Sequence, residues 1–435
     1  MIPSRRCYLL LIIGGANSFL LAALFNQEVS FSFLYLYNFV LFGLTLADVS
    51  QVKANAVAVK RYPINKLSVG RDNLMRLAVS SFNHKASIEI KDYYPPQFAV
   101  SVDTVRARLP ANTTKELTYT INPDRRGKYE WGDIQVRQLG NWGLAWRDWK
   151  IPAKEKVLIY PDLVGLRSLS IRLSLENTGA MRQARRLSNG TEFTELREYN
   201  RGDDLRLIDW KATARRSHPV VRVLEPEQEQ TLFILLDRGR LMTARVRGLK
   251  RFDWGLNATL SLALAGLSRG DKVGVAVFDR DINTWIPPQG GNHHLAKLIE
   301  RLTPLQPILL EPDYLGAITQ VVSQQNRRAL VVVITDLVDV TASAELLTAM
   351  VRLTPRYLPF CVTLRDPIID TISHNSTNNT TETYSRAIAL DLLAQRQVAF
   401  AKLKQRGVLV LDAPADRISE QLVTRYLQVK ARNLL

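Results

Sequence analysis

The sequence predicts a mixed α/β protein in which a doubly wound, mostly parallel α/β domain follows a small all-β domain and an N-terminal pair of membrane-spanning helices. Three observations lead to this prediction. Two long apolar runs open the chain, short strand-like runs punctuated by turn residues fill 62–162, and apolar strands alternate with helices from Thr231. With 435 residues, of which 46% are hydrophobic, the chain is long enough for two folded soluble domains besides the membrane segment.

The membrane segment comprises residues 1–50. Residues 7–25 and 29–47 are charge-free apolar runs, and only Asn26, Gln27 and Glu28 separate them. Each run is long enough to cross a hydrocarbon core of about 30 Å as a helix. The short connection predicts a tight helical hairpin with both outer ends on one side of the bilayer.

Charge predicts which side that is. Arg5 and Arg6 precede the first run, Lys53 and Lys60 follow the second, and the turn carries no Lys or Arg. Basic residues favour the cytoplasmic side, so we expect a two-pass protein with cytoplasmic N- and C-termini. The alternative is a twin-arginine export signal starting at Ser4. A second full span so soon after the first disfavours it.

The net charge of +17 raises the question of anionic partners. Basic residues are spread along the chain without a run of five, and no zinc-finger or RNA-recognition pattern occurs. We therefore expect the lipid bilayer as a partner and no nucleic acid. The phosphate-binding Gly-x4-Gly-Lys and His-Glu-x-x-His motifs are also absent from the sequence, and its Gly-x-Ser-x-Gly match, at 266–270, lies at the end of a predicted helix instead of joining a strand to a helix. No catalytic motif is found, which favours a protein that is not an enzyme.

The soluble part is predicted to form two domains joined by a linker. Residues 51–165 are interpreted as a β-sandwich-like domain with strands at 74–80, 86–90, 116–121, 131–138 and 157–160. A polar, Arg-rich linker is expected at 166–228. Residues 229–435 are interpreted as the α/β domain, with strands at 232–236, 272–278, 329–334, 360–364 and 408–411. Helices are predicted at 254–267, 293–302, 314–325, 342–353, 386–406 and 415–430, with a polar surface loop at 373–385.

The linker contains a dense alternation of acids and arginines. Its candidate site residues are Glu192, Arg197, Tyr199, Gly202, Asp203, Asp204, Arg206, Asp209, Trp210 and Arg215. Arginine–carboxylate pairs can brace such a segment, and this structural role is the favoured interpretation. The alternatives are a partner-binding surface and an acidic cluster of Asp203, Asp204 and Asp209 that performs acid–base or metal chemistry.

This signature, Gly190-Thr191-Glu192-Phe193 through Asp209-Trp210-Lys211-Ala212-Thr213-Ala214-Arg215, resembles that of the bacterial family known as domain of unknown function 58. The runs at 125–129, 143–145 and 160–161 resemble the upstream β domain of that family. The resemblance implies a von Willebrand A-like α/β domain in a protein of the bacterial inner (plasma) membrane. It also implies a MoxR-type AAA+ ATPase as partner and a role as its adaptor in assembly or maturation of other proteins.

Many von Willebrand A domains hold Mg²⁺ with an Asp-x-Ser-x-Ser motif, a later Thr and an Asp after the fourth strand. Here the motif reads Asp-Arg-Gly-Arg-Leu at 237–241, and Glu311-Pro312-Asp313 stands where the Thr is expected. Only Asp237 and Asp336 remain, so the resemblance implies a degenerate metal site.

We expect this degenerate site to hold no cofactor, because two carboxylates are too few ligands and arginines lie beside them. Arg238 or Arg240 is predicted to pair with Asp237 or Asp336 and to take the place of the ion. Mg²⁺ binding is the alternative.

These observations predict a membrane-anchored, protein-binding adaptor that acts with a cytoplasmic AAA+ ATPase on a protein client. The alternatives are a hydrolase-like enzyme that uses the acidic cluster at 203–209 and a purely structural envelope protein. Neither the client, the process, the oligomeric state nor the role of loop 373–385 follows from the sequence.

Overall fold

A computed structural model describes residues 1–24, 27–184, 192–225, 230–325, 327–337, 344–374 and 379–432. Within these ranges the side chains of residues 175–184, 192–194, 223–225 and 292 are not described. The chain divides into two compact units, Met1–Tyr160 and Pro161–Leu435. The helical hairpin thus shares a unit with the β strands that follow it.

The first unit opens with two long helices, α1 (Arg5–Leu24) and α2 (Gln27–Ala54). Both are long and apolar enough to cross a membrane. Large apolar side chains point outward from them, since Phe19 is 80% exposed and Phe39 77% exposed. Polar contacts join the helices instead: the Ser18 and Ser30 hydroxyls lie 2.8 Å apart, and the Tyr37 hydroxyl donates to the Leu10 carbonyl at 2.9 Å.

The rest of the first unit is built from short strands in three sheets. The strands are β1 (Ile2–Pro3), β2 (Ala58–Arg61), β3 (Leu67–Ser68), β4 (Asn73–Ser80), β5 (Ala86–Asp92), β6 (Ala99–Val100), β7 (Val105–Leu109), β8 (Thr114–Asn122), β9 (Gly127–Trp131), β10 (Ile134–Leu139), β11 (Ala145–Ile151) and β12 (Glu155–Tyr160). The strand orders of the three sheets are β1-β11-β10-β5-β7, β2-β4-β8-β6 and β3-β12-β9. Side chains alternate between buried and partly buried along β5, as expected for a strand with one face in a core.

One predicted strand of this unit is wrong. The run 131–138 belongs to two strands, because Gly132 and Asp133 form a connection between the end of β9 and the start of β10. The Gly132 amide donates to the Tyr93 carbonyl at 2.7 Å. A Cβ at Gly132 would lie only 2.8 Å from the Tyr93 Cβ, so the close approach requires glycine.

Both outer ends of the helical hairpin are bonded to one loop of the β sheets, at 140–145. Near the end of α2, the fully buried Asp48 accepts from the amides of Trp142 and Leu144, each at 2.9 Å. Before α1, the Ser4 amide donates to the Leu144 carbonyl at 2.9 Å. A side chain at Gly140 would collide with the Asp48 carboxylate, which explains the glycine there. The two ends of the hairpin therefore lie on the same side.

The second unit alternates strands with helices after an initial helix and hairpin. Its helices are α3 (Leu163–Ala184), α4 (Trp210–Arg216), α5 (Arg251–Ser268), α6 (Asn292–Leu302), α7 (Tyr314–Gln324), α8 (Ala344–Val351), α9 (Pro367–His374), α10 (Thr380–Gln405) and α11 (Ile418–Ala431), and 3-10 turns lie at Leu205–Leu207, Arg240–Thr243 and Ala415–Arg417. Its strands are β13 (Glu192–Glu198), β14 (Val220–Glu225), β15 (Thr231–Asp237), β16 (Arg245–Val246), β17 (Leu249–Lys250), β18 (Lys272–Phe278), β19 (Ile282–Gln289), β20 (Ala329–Thr335), β21 (Leu358–Arg365) and β22 (Leu409–Pro414).

A six-stranded sheet of order β19-β18-β15-β20-β21-β22 is the centre of this unit. All neighbours pair in parallel except β18 and β19. Every residue of β15 is buried. Leu232, Ile234 and Leu236 belong to one apolar core, whereas Phe233 and Leu235 belong to another. Successive side chains of a strand point to opposite faces, so both faces of the sheet are covered.

The structure corrects two predictions in the second unit and adds a strand that was not predicted. The expected linker at 166–228 contains most of α3 and the β13–β14 hairpin. The expected loop at 373–385 contains the end of α9 and the start of α10, and its residues 375–378 lie outside the description. Its Asn and Thr content suggested a loop, but the Asn379 side chain accepts from the Glu382 amide and so begins a helix. The edge strand β19 was missed because Pro287 and Pro288 lie in it, which an edge strand tolerates.

Candidate functional site

The predicted site residues lie at two places in the second unit. The first is the carboxyl end of the central sheet, where β15 and β20 end side by side. Asp237 closes β15 and is 1% exposed. Its carboxylate accepts from the Gly239 amide at 2.6 Å, the Thr335 hydroxyl at 2.6 Å and the Tyr314 hydroxyl at 3.1 Å. Three donors therefore occupy this carboxylate.

Burial changes the pKa of the Asp237 carboxyl. Removal from water disfavours the charged carboxylate and raises its pKa from 3.8 to about 6, although the bonds from Thr335, Gly239 and Tyr314 act in the opposite direction. The buried Tyr314 hydroxyl, which donates to this carboxylate, has its pKa raised for the same reason. The group is thus a buried, hydrogen-bonded carboxyl rather than an open ligand.

Asp336 follows β20 and lies in a buried network of ion pairs. The Arg251 and Arg396 guanidiniums contact its carboxylate at 2.6 Å and 3.0 Å. Arg396 is 3% exposed and also contacts Asp412 at 2.7 Å, and Arg365 contacts Asp412 at 3.0 Å. Burial alone would lower the pKa of Arg396, but the two carboxylates outweigh burial and raise it. The network links α5, α10 and the ends of β20, β21 and β22.

The predicted identity of the neutralising arginines is wrong. Arg238 pairs with Asp279 at 2.6 Å and Arg240 with Glu311 at 2.6 Å. Arg251 and Arg396 neutralise Asp336 instead. These two arginines start α5 and lie within α10, far along the chain from the strand ends, so no local pattern indicated them.

The residues at this edge do not fit Mg²⁺. A hard divalent cation needs about six oxygen ligands, and the carboxylates here are occupied by hydroxyl, amide and guanidinium donors. Within the described ranges, no three His, Cys, Asp or Glu side chains group together as metal ligands. The positive charge that balances Asp336 comes from the protein itself.

The second place is the signature segment, which forms an antiparallel hairpin of β13 and β14 with a 3-10 turn and α4 between the strands. Arg197 forms two bonds to the Asp203 carboxylate, at 2.8 Å and 2.6 Å. This bidentate pair holds the pKa of Asp203 below its ordinary value. Between them, Gly202 has a φ of +111°, a conformation that favours glycine.

The other two carboxylates of the signature begin helical turns. Asp204 accepts from the Arg206 amide at 3.0 Å and starts the 3-10 turn. Asp209 accepts from the Ala212 amide at 2.9 Å and starts α4, and Arg222 contacts its other oxygen at 3.0 Å. The Ala212 bond, with help from Arg222, lowers the pKa of Asp209. The acidic residues are therefore engaged separately and do not converge on one point.

These braces leave an apolar and cationic surface exposed. Trp210 is 70% exposed and Leu205 64% exposed, although Val220 on the same hairpin is fully buried. Arg206, next to Leu205 in the chain, and Arg215, on α4, are also exposed. We call Leu205, Arg206, Trp210 and Arg215 the Trp210 surface. Large exposed apolar residues that are flanked by arginines are typical of protein-binding sites rather than of catalytic sites.

The remaining predicted residues have backbone roles or lie outside the description. The Tyr199 amide donates to the Pro219 carbonyl at 3.0 Å and closes the hairpin. The Glu192 backbone pairs with Glu225 in the hairpin, and its side chain is among those not described. Arg222 was not among the predicted site residues, although the Val-rich run at 220–224, interrupted only by this arginine, could have indicated a strand facing the signature.

The fold and these sites define a mixed α/β protein with two N-terminal apolar helices and an arginine-braced signature hairpin. Comparison with known families agrees with the resemblance: the model described as protein of unknown function DUF58 matches residues 195–372. The runs at 125–129, 143–145 and 160–161 lie outside that match.

Relatives of similar sequence occur in bacteria. The uncharacterized protein Rv1480 of Mycobacterium tuberculosis is 26% identical over 149 residues, which cover 34% of this chain and 47% of that protein. The uncharacterized protein YeaD of Bacillus subtilis is 29% identical over 107 residues, which cover 25% of each. The chain thus spans about half the length of the mycobacterial relative.

Two solved structures also align with about half of this chain. An aerotolerance-related membrane protein of Bacteroides fragilis aligns with a TM-score of 0.32 and 17% identity, over 47% of this chain and 99% of that chain. The conserved hypothetical protein BatB of Bacteroides thetaiotaomicron aligns with a TM-score of 0.33 and 14% identity, over 47% of this chain and all of that chain.

Proposed function

We propose that this protein is a membrane-anchored adaptor that binds other proteins and acts with a cytoplasmic MoxR-type AAA+ ATPase in the assembly or maturation of a client protein. The observation that carries the proposal is the Trp210 surface, where Trp210 is 70% and Leu205 64% exposed. The ATPase partner comes from the family resemblance alone. The acidic residues of the signature serve to hold this surface in shape.

An exposed tryptophan suits partner binding because of the free energy that is gained when its ring is buried. Its large ring gains most when a partner removes it from water, and Trp and Arg are the residues most often found at the energetic centre of interfaces. Here the ring lies at the first position of α4, directly after the Asp209 cap that Arg222 braces. A surface held in one conformation pays less ordering entropy on binding.

We further propose that the second unit is a von Willebrand A-like, doubly wound domain and that the β strands of the first unit form a sandwich-like domain. The strand order with one antiparallel edge and the two apolar cores support the first assignment. In such a domain Asp237 and Asp336 occupy the metal position, and Arg251 and Arg396 replace the ion.

The membrane placement is part of the same proposal: α1 and α2 cross the bacterial inner membrane, and the β strands of the first unit and the whole second unit face the cytoplasm. The basic residues flanking the two helices support this orientation. The bonding of both outer ends of the hairpin to loop 140–145 supports a two-pass arrangement with both ends on one side. Tethering raises the effective concentration of partners, so modest affinities suffice.

The hydrolase alternative loses its main support. It requires the carboxylates of Asp203, Asp204 and Asp209 to converge, but Arg197 and Arg222 hold two of them and the third caps a 3-10 turn. The alternative of a purely structural envelope protein predicts that the Trp210 surface has no ATPase or client to bind.

Substitution of Trp210 tests directly whether the Trp210 surface binds the ATPase. The full chain in detergent or lipid nanodiscs is mixed with the MoxR-type ATPase of the same bacterium, and the affinity is measured by biolayer interferometry. Trp210→Ala should weaken binding by about 30-fold, as expected for a residue at the energetic centre of an interface. Tyr384→Ala is the matched control, because Tyr384 is an equally exposed aromatic residue, at 74%, elsewhere in the same unit.

Thermal unfolding of both variants controls for folding, and we expect it to match the unsubstituted chain. Equal binding by Trp210→Ala and the unsubstituted chain would remove the proposed surface. Absence of binding by the unsubstituted chain itself would remove the ATPase from the proposal.

A further inference from the structure

The end of the β domain that contacts the helical hairpin has the composition of a membrane-facing surface. Three loops form this end, at 81–85, 110–113 and 140–144, and we call them the hairpin-side edge. Pairing of Ser87 with Leu139 and of Ala86 with Leu109 brings the three loops to the same end of one sheet. The Asn112 amide also donates to the Phe82 carbonyl at 2.8 Å.

The depth of this edge is set by its bonds to the hairpin. The apolar run of α2 ends at residue 47, and the next residue, Asp48, accepts from the Trp142 and Leu144 amides at 2.9 Å each. At the other helix, Ser4 is bonded through its amide to Leu144 just before α1 begins at Arg5. Two independent contacts thus hold loop 140–144 level with the ends of both apolar helices.

The side chains at this edge suit the boundary between lipid and water. Phe82 is 52% exposed and Trp142 45% exposed. Lys85, in the same loop as Phe82, and Arg108, two residues before loop 110–113, are exposed too. The three loops contain no Asp or Glu. At the opposite end of the same sheet the exposed Asp103 pairs with Lys91 at 2.7 Å, so that end carries an exposed acidic side chain. Aromatic rings with lysines and arginines are typical of contact with an anionic lipid surface.

We infer that the hairpin-side edge is a second membrane contact, in which Phe82 and Trp142 enter the headgroup region of an anionic bilayer. This inference rests on the proposed membrane placement of α1 and α2. The contact fixes the β domain against the bilayer surface instead of letting it move freely on its tether. The occupant is lipid, because the charge matches and the edge is continuous with the apolar helices.

The test places a fluorophore at single cysteines in the full chain. Phe82→Cys and Trp142→Cys are labelled with an environment-sensitive dye in nanodiscs of phosphatidylcholine and phosphatidylglycerol in equal parts, with and without lipids that carry a quencher on the acyl chain. Val102→Cys is the matched control, because Val102 is 49% exposed in a loop at the opposite end of the sheet. The unsubstituted chain, whose Cys7 and Cys361 are buried, gives the background labelling.

We expect quenching of the dye at positions 82 and 142 and none at 102. In discs of phosphatidylcholine alone, quenching at 82 should decrease, and equal quenching in both discs would overturn the role of Lys85 and Arg108. No quenching at 82 and 142 in the anionic discs would overturn the membrane contact. A dye at 82 and 142 that is blue-shifted but not quenched would also overturn the membrane contact, and would indicate that a protein covers this edge.

Ile12→Cys separates this inference from the membrane placement on which it rests. Ile12 lies within α1 and is 68% exposed. Quenching at 12 without quenching at 82 and 142 would overturn the contact and leave the anchored hairpin intact. No quenching at 12 would overturn both.

Discussion

Asp237 is the residue whose chemistry departs most from what its sequence position suggests. A motif aspartate after the first strand of an α/β sheet suggests a metal ligand, yet here its oxygens accept from Gly239, Thr335 and Tyr314. Burial raises its pKa to about 6. The sequence located this residue at the sheet edge but gave no information about its donors, because Tyr314 lies on a helix far along the chain.

This raised pKa predicts a pH dependence of stability. The folded protein binds the proton of Asp237 more tightly than the unfolded chain, whose carboxyl titrates near 3.8. The stabilising contribution is therefore complete below about pH 4 and is lost as the pH rises to about 6. The unfolding free energy of the unsubstituted chain, taken relative to that of Asp237→Asn, should fall by about 3 kcal/mol over this window.

Urea unfolding at pH 4 and pH 7 measures this difference, provided that the fold is retained at both values. A difference that stays constant with pH would show that Asp237 titrates normally.

Asp48 has a comparable role in the first unit. Its buried carboxylate accepts from the amides of the 140–145 loop, and the nearby Gly140 leaves room for it. Asp48→Asn keeps the size but turns an amide NH₂ toward these donors. We expect a loss of about 1 to 3 kcal/mol in stability, measured by thermal unfolding in detergent.

Asp103→Asn is the control for this substitution. Asp103 pairs with Lys91 on the surface, where its side chain is 55% exposed, so stability should change by less than about 0.5 kcal/mol. Similar losses for both variants would contradict the importance of the Asp48 contact.

Among the elements, the arginine network at the sheet edge joins parts of the chain that are distant in sequence. Arg251 begins α5 and Arg396 lies within α10, and both contact Asp336 after β20. Such a network compensates its own charge, so no bound ion is required. Removal of one member leaves a buried charge without its partner.

Arg396→Met tests this view of the network. The substitution removes the contacts to Asp336 and Asp412 and leaves those carboxylates with one arginine each. Stability should fall by about 3 to 5 kcal/mol, measured by chemical denaturation of the purified protein. Arg240→Met breaks only the exposed pair with Glu311 and should cost about 0.5 kcal/mol or less. A loss for Arg396→Met no greater than this control would contradict the network.

Element positions were predictable where one local pattern dominates. The continuous apolar runs indicated β15, β18, β20 and β21, because a sheet covered on both faces needs apolar residues at every position. Helix α3 was missed although Leu166, Leu169 and Leu173 follow helical spacing and are buried. Its arginines and polar residues suggested a linker. The core that its leucines join is formed by residues distant in sequence, so the local pattern did not indicate it.

At the scale of the whole molecule, the sequence predicted the broad organisation but not the detailed contacts of the sites. Two apolar helices, a β-rich region and an α/β region are all present. Charge patterning in the signature correctly indicated Arg–carboxylate bracing, but not that Arg222 would hold Asp209. Which face remains free for a partner depends on packing, and so the exposure of Trp210 and Leu205 needed the structure.

The adaptor proposal depends on the hairpin crossing the membrane with the soluble units in the cytoplasm. Paired reporter fusions after Leu435 test this most directly, with alkaline phosphatase, which is active only outside the inner membrane, and a green fluorescent protein that fluoresces only inside. We expect fluorescence without phosphatase activity. Phosphatase activity without fluorescence would contradict it.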